Sequence, residues 1–395
     1  MFDLRYLFVS LDVRPGGGRR SRSGRPVPGW LAQRLACSVL LVGPGRPFEL
    51  PSRAAAAARD GDMVRIDAGT YRGDAAVWKA NNLTIVGVEG RTVIDNTGRA
   101  IANRKASWVI AGANTRVSNV AFVGAHDAAG RDANWAGIRQ EGAGLIVSRC
   151  MFRGNDNGLL AGANGDSDIT VSASEFAENG SGDGLSHNIY VGAVRSFTLQ
   201  FSSSRDARIG HLVKSRALRN DIYHNSLRDG PAGGASYEID LPNGGASYIV
   251  GNVIEQGPRG RNPTMLSYAE EGASNPIQAL YVINNTFVNR PGRGTFVAIA
   301  GTPKESRLFN NIFAFGGTPL AGPGVQVTNL ATRDPGFVDE KTGDYRLAAG
   351  SPAVDAGTDP GTGGGVKLKP LYQYAKLGGE PRPEHGALDI GAFER

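Results

Sequence analysis

The sequence predicts an all-β chain wound as a single-stranded right-handed parallel β-helix, a solenoid with a short N-terminal cap and an irregular C-terminal tail. Composition is the first reason: Gly makes up 56 of 395 residues, about twice its usual share. With Asn and Ser it is spread among short Val, Ile, Leu and Phe runs, as a chain that bends repeatedly requires. Self-similarity is the second. Past residue 80, β-rich segments recur, among them LTIVGV (83–88), LIVSRCMFRGN (145–155), SYIVGNVIEQG (247–257) and LYVINNTFVN (280–289). Between them runs another series that includes NGLLAG, HNIYVG, HLVKSRA, YEIDLPNG and FVAIAG. Two strand families alternating in coils of roughly 21 to 30 residues describe one supersecondary unit stacked many times. The right hand follows the general preference of parallel crossovers. A β-sandwich would need hairpin turns between neighbouring strands, and these linkers are spaced for coils instead.

Taken in order, residues 1–41 read as a basic leader, disordered or signal-like. Arg19, Arg20, Arg22, Arg25 and Arg34 precede a short apolar run at 35–42, loosely the layout of a secretory signal. A secreted or periplasmic location is the expectation; a disordered leader or an upstream start codon is the alternative. The first sixty residues hold ten arginines against four acids and so carry the whole net charge of +6. The balanced remainder offers no electrostatic case for nucleic acid. No stretch approaches the ~20 apolar residues of a membrane span. Order is expected from Val42, with a short helix after Pro51 at 54–58 and a first strand at 63–66. Residues 42–330 form one parallel β-helix domain and 331–395 a tail packed on it. The motif N-x-[FI] at Asn252, Asn285 and Asn311, with Leu227 as the variant after Asn225, predicts one Asn per coil at the same bend. Stacked amides of this kind satisfy turn backbone groups as an internal ladder. Nearest-neighbour stacking makes this one domain, expected as a monomer. Cys37 and Cys150 are too few for a disulfide framework or a zinc site.

Register turns the repeat into a candidate site. Aligning HNIYVG (187–192), HLVKSRA (211–217) and SYEIDLP (236–242) at a 24-residue step stacks Ile189, Val213 and Tyr237, then Val191, Ser215 and Ile239. Alternate strand residues face opposite sides, so this mostly apolar parity, with His187 and His211, is expected inward. The other parity then carries Asn188, Leu212 and Ser236 in one outward column, Tyr190, Lys214 and Glu238 in the next, and Arg216 above Asp240 in a third.

The coil pattern, GTY at 69–71 after DGDMVRIDA, the Asn ladder, and the ending DPGFVDEKTGDYRLAAGSPAVDAG (334–357) with DIGAFE (389–394) resemble the pectate-lyase-like superfamily over residues 42–395. Within it the chain is similar to bacterial β-helix proteins grouped with alginate and other uronate-polysaccharide lyases. What the resemblance implies is a Lys and an Arg on an exposed sheet, with acidic or amide ligands for Ca²⁺. Lys214 and Arg216 match by type, although they lie two residues apart on one strand, and no extended acidic metal motif precedes them.

The chemistry follows from the residues as well. Eliminative cleavage of a uronate chain needs the carboxylate neutralised, a base at C5 and an acid at the leaving oxygen. Arg216 suits bidentate carboxylate binding, Lys214 is the candidate base, and Tyr190 is placed to protonate the leaving group, with His187 and His211 as further catalytic candidates. Glu238 and Asp240 supply hard oxygen ligands for Ca²⁺. Arg208, Asn188, Tyr268 and Glu270 are candidate substrate-binding residues, and the partner expected is an acidic polysaccharide. Alternatives stay open. Lys214 with Glu238 and Arg216 with Asp240 are opposite charges on adjacent coils, which also simply solvate a sheet face. A glycoside hydrolase would use Glu238 and Asp240, or either with Asp183, as its carboxylate pair. A C5-epimerase would share the proton abstraction, and a non-catalytic binding protein would use the cationic face alone. His224 reads as structural, and Trp78, Trp108 and Trp135 as sugar platforms or core.

Overall fold

A computed structural model describes residues 37–127 and 134–395. The leader therefore lies outside the described residues except at its end, where strand Val39–Val42 pairs with Met63–Ile66, so the expected boundary at Val42 falls at the end of a strand and not ahead of one. A helix, Pro51–Ala57, follows and packs its buried Ala54 and Ala55 against the first coils.

The chain is a parallel β-helix whose full coils contain three strands rather than the two families legible in the repeat. The first family splits in two at a tight bend. At these bends Asn119, Arg149, Ala173, Phe201, His224, Asn284, Asn310 and Thr328 all adopt φ between 47° and 57°. A left-handed residue that is not Gly costs on the order of 1 kcal/mol or more and persists only where its surroundings over-determine it. From Ala173 onward the next residue in the chain does so. Asn225, Asn252, Asn285, Asn311 and Asn329 point inward, each accepting the backbone N–H and side-chain amide of the residue one coil before it at 2.9–3.0 Å. The one exception is Asn225, which receives only the backbone N–H of Ser202. The predicted ladder is thus present, and it continues upstream through the hydroxyls of Ser202 and Ser174.

The core is a column of stacked side chains. Trp78, Trp108, Phe122, Phe152 and Phe176 follow one another at ring separations of 4.5–5.2 Å, which places Trp78 and Trp108 in the core; Trp135 packs on Ile101 and Ala125. His224 is structural as expected: it lies buried against Phe201 and Tyr372, and burial followed by Arg382 pushes it down to about 3. The tail beyond Thr332 packs along the coils. Leu368 joins Tyr248 and Tyr281, Tyr345 joins Val253 and Val288, and Arg382 pairs with Glu394 in the interior at 2.7 Å. These contacts are with the first two strands of each coil. The third strands form a separate ten-stranded parallel sheet that carries the candidate residues.

Strict alternation fails where those third strands begin. Pairing runs His211↔Tyr237, then Val213↔Ile239, and passes over Leu212 and Glu238. The passed-over residue and its successor both enter the core, as Leu212 with Val213, Met265 with Leu266 and Phe296 with Val297 show. The residue ahead of each such pair is thereby turned outward. Several expectations are corrected by this one corner. Asn188, read as facing substrate, is fully buried, accepting from Asn179 Nδ2 at 2.9 Å and donating to Ser204 Oγ at 3.0 Å. His187, His211 and Tyr237, read as inward, line the outer face.

Glu238 is the sharpest correction. It is fully buried, and neither carboxyl oxygen has a hydrogen-bond partner among the described residues. Burial, reinforced by Asp229 and Glu255, pushes its carboxyl well above the usual range, so it is held as the neutral acid. The folded protein therefore keeps a proton that the unfolded chain releases near pH 4.3, and stability falls as pH rises from there toward the folded value, by up to about 1.4 kcal/mol per pH unit. Glu238→Gln, which keeps the shape and cannot ionise, is expected to lack that loss. Urea unfolding at pH 4.5 and pH 9 is expected to show the variant gaining on the wild type at the higher pH; a difference independent of pH would mean that Glu238 does not hold its proton.

Candidate functional site

Three adjacent strands of the exposed sheet, Ile189–Val191, His211–Ser215 and Tyr237–Leu241, build the site. The step between the first two is 24 residues, as read, with Tyr190 beside Lys214. The second step is 26, so Lys214 lies beside Asp240 and not Glu238. The loops make it so: the preceding strands pair Ser203 with Ser226, a step of 23, and the loop from Arg205 to His211 holds five residues where that from Arg228 to Tyr237 holds eight. A two-residue slip preserves parity, which is why the cluster survives the misreading while its pairs change.

Lys214 Nζ lies 3.0 Å from Asp240 Oδ2 and 3.1 Å from Glu271 Oε1. His211 Nε2 approaches the same Asp240 oxygen at 3.3 Å. Arg216, just past its strand, donates from Nη2 to Glu271 Oε2 at 2.6 Å, from Nη1 to Asn243 Oδ1 at 2.7 Å and from Nε to the Tyr190 hydroxyl at 3.1 Å. The His187 ring stacks on His211 at 4.5 Å and on Tyr190 at 5.6 Å. Its Nδ1 accepts the His211 backbone N–H at 3.1 Å, which places the ring proton on Nε2.

Charge is distributed sharply over this cluster. Burial, then His211, Lys214 and Arg216, push the His187 imidazole well below its ordinary value, so it is neutral. Burial pushes the Asp240 carboxyl up, but His211 and Lys214 outweigh it and hold the group below the usual carboxylate range. Glu271 is likewise raised by burial and lowered by more through Arg216 and Lys214. Two cations, Lys214 and Arg216, thus face two ionised carboxylates. A cleft of about 450 Å³ opens beside them, lined by Arg139, Leu160, Leu185, Tyr190 and Arg216 among others.

The structure therefore brings together Lys214, Arg216, Tyr190, His187, His211 and Asp240. Glu270 sits at the rim, where it accepts the Tyr237 hydroxyl at 2.8 Å. Tyr268 is corrected: it is fully buried, its hydroxyl donating to Gly245 O at 2.8 Å. Arg208 lies in a different cleft. Asp183 caps Leu185 N at 2.8 Å. The Ca²⁺ expectation does not fit the residues present, because Glu238 turns into the core while Asp240 is occupied by His211 and Lys214. Among the described residues no group of three or more His, Cys, Asp or Glu side chains converges as a metal site. Glu271 and Asn243 were missed. Both lie in turns beyond strands, where alternation says nothing, and Glu271 crosses two coils to reach Arg216; its N–H bonds Pro242 O at 3.0 Å, and left-handed Ala269 (φ 63°) turns the chain.

No protein-family model and no curated protein sequence matches the chain. Solved structures do. The pectate lyase Pel9A aligns with a TM-score of 0.62 and 15% identity, over 91% of this chain and 96% of that one. Pectin methylesterase PemA from Erwinia chrysanthemi aligns at 0.37 and 12%, over 68% and 91%, and the PL6 family alginate lyase AlyGC at 0.25 and 14%, over 79% and 57%. Identities this low speak to fold, and the last two scores are too small to carry an argument. The coil architecture and its match to Pel9A together show that the chain has a parallel β-helix fold of the kind seen in that structure.

Proposed function

We propose that the chain is a lyase that cleaves a uronate-containing polysaccharide by β-elimination on the exposed sheet. The observation that supports this most directly is that a carboxylate already occupies the place a uronate carboxylate would take. Glu271 bridges Lys214 and Arg216 at 3.1 and 2.6 Å from a turn two coils away. Substrate carboxylate entering the cleft exchanges with Glu271 and is neutralised by the same two cations, which makes the C5 proton removable.

In this reading Lys214 supplies charge and not proton transfer, since its Nζ is already engaged by Asp240 Oδ2 at 3.0 Å and Glu271 Oε1 at 3.1 Å. Tyr190 is the proton carrier. It lines the cleft, and its oxygen accepts from Arg216 Nε, which serves as counter-charge to the phenolate. The phenolate takes the C5 proton, the C5–H electron pair becomes the C4–C5 double bond, the C4–O bond breaks, and Tyr190 returns the proton to the departing oxygen. Neutral His187 offers Nε2–H as a donor without competing for the carboxylate. A hydrolase loses the Glu238–Asp240 carboxylate pair, because Glu238 faces the core.

Tyr190→Phe is expected to lower turnover by about 10²–10⁴ with little change in KM, followed by the ultraviolet absorbance of the new double bond. Lys214→Ala and Arg216→Ala are expected to raise KM and lower turnover together. A Tyr190→Phe protein with full turnover beside an inactive Lys214→Ala protein would return the base to Lys214. Glu271→Gln should lower KM several-fold, since its amide competes less well for the cations; a raised KM would make Glu271 a residue that positions them. Turnover is expected to withstand a chelator.

A further inference from the structure

A second cleft, of about 440 Å³, opens at the other end of the same strands. Arg208 stands on the loop ahead of His211, and Arg259 and Arg261 stand on the loop ahead of Thr264, two coils further along. All three are exposed. The coil between them contributes only Ala232, Gly233 and Gly234 to the lining. That floor has to be small. A Cβ on Gly233 would lie 1.9 Å from Asp229 Oδ1, so no other residue fits without moving the loop.

The other arginines around this cleft are paired. Arg153 pairs with Glu178 at 2.8 Å, Arg205 with Glu175 at 3.0 Å and with Asp206 at 2.8 Å, and Arg228 with Glu255 at 2.6 Å. Glu178 and Asp206, the two carboxylates that line the cleft, are thus already neutralised. Arg208, Arg259 and Arg261 make no side-chain hydrogen bond or ion pair among the described residues, although Glu178 and Asp206 are close by. Three unmatched guanidinium groups converging on one low-floored cleft concentrate positive potential there, and an anion relieves their mutual repulsion.

We infer that Arg208, Arg259 and Arg261 form a second oxyanion subsite, which holds a carboxylate or sulfate group on a sugar some way along the chain from the one cleaved. Arg208 is six residues before Lys214, a separation of at most about 20 Å along an extended chain. One polymer chain can therefore reach both. The ligand's identity as an acidic polysaccharide rests on the proposed function, but the existence of the subsite does not. Its consequence for substrate class is specific: the polymer carries anionic groups on more than one sugar, and a chain with a single isolated uronate binds poorly.

The test compares the wild type with the triple variant Arg208→Ala/Arg259→Ala/Arg261→Ala by titration calorimetry at low ionic strength. The probes are polygalacturonate, alginate, dextran sulfate and galacturonate alone. Exposed sites of this kind change stability by about 0.5 kcal/mol or less each, and an unchanged melting temperature confirms the fold. The triple variant is expected to lose tenfold or more in affinity for at least one polyanion while its affinity for galacturonate alone is unchanged. Stronger loss on dextran sulfate assigns a sulfate ester, and stronger loss on the polyuronates assigns a carboxylate. Polyanion affinity equal to wild type, or a wild type that binds no polyanion, overturns the subsite. The two proposals separate cleanly. A wild type that cleaves, with a triple variant that binds as well, leaves the lyase and removes the subsite; a wild type that cleaves nothing, with a triple variant that has lost polyanion binding, does the reverse.

Discussion

Coil-on-coil hydrogen bonding, at a fixed rise of about 4.8 Å, is the constraint from which the rest of this molecule follows. It forces each side chain to lie on the side chain at the same position of the next coil, so every column must tolerate its own repetition. Inside, that selects groups that are better stacked than alone: amides that donate and accept at once, and aromatic rings. From Ala173 onward the left-handed bends are tolerated because the residue immediately after each one belongs to the ladder, as with Asn285 between Asn252 and Asn311. Outside, the same constraint brings Tyr190, Lys214 and Asp240 side by side. Like charges in such a column would repel, and here the one cation, Lys214, lies beside an anion.

Two acids on one strand show how much the facing side decides. Glu238 and Asp240 are both almost wholly out of solvent, and burial raises both. Asp240 meets His211 and Lys214 and stays ionised; Glu238 meets no cation, has Asp229 and Glu255 as its nearest charges, and keeps its proton. Asp229 is driven in the same direction, to about 7, by burial together with Asp206 and Glu255. The interior beneath the site thus holds acids that are neutral or nearly so, and the positive charge of Lys214 and Arg216 is left to act on the outer face.

The fold was legible because the repeat is long and the ladder motif marks the same bend coil after coil. Asn225, Asn252, Asn285 and Asn311 were found on spacing alone, whereas Ser174 and Ser202 do the same work with a hydroxyl and carry no signature that separates them from other serines. Lys214, Arg216, Tyr190 and Asp240 were identified because strand periodicity reports their side of the sheet. His187, His211, Tyr237, Asn188 and Glu238 were misplaced because each lies at the corner where two consecutive residues turn inward, a departure that hydropathy conceals when the second of them is Glu or Asn. Glu271 was out of reach for another reason: its partners are 55 and 57 residues away, and a turn residue has no face until the turn is built.

The site draws Tyr190, Lys214, Arg216, Asp240 and Asn243 from three consecutive coils and borrows Glu271 from a fourth, while the ten-stranded sheet extends well past it in both directions. Chemistry and reach are therefore separately heritable in this architecture. Duplicating or deleting a whole coil ahead of residue 136 would lengthen or shorten the exposed sheet without moving one atom of the cluster. The sheet is in this sense a ruler with the cluster fixed at one mark, and its length can change while that mark stays where it is.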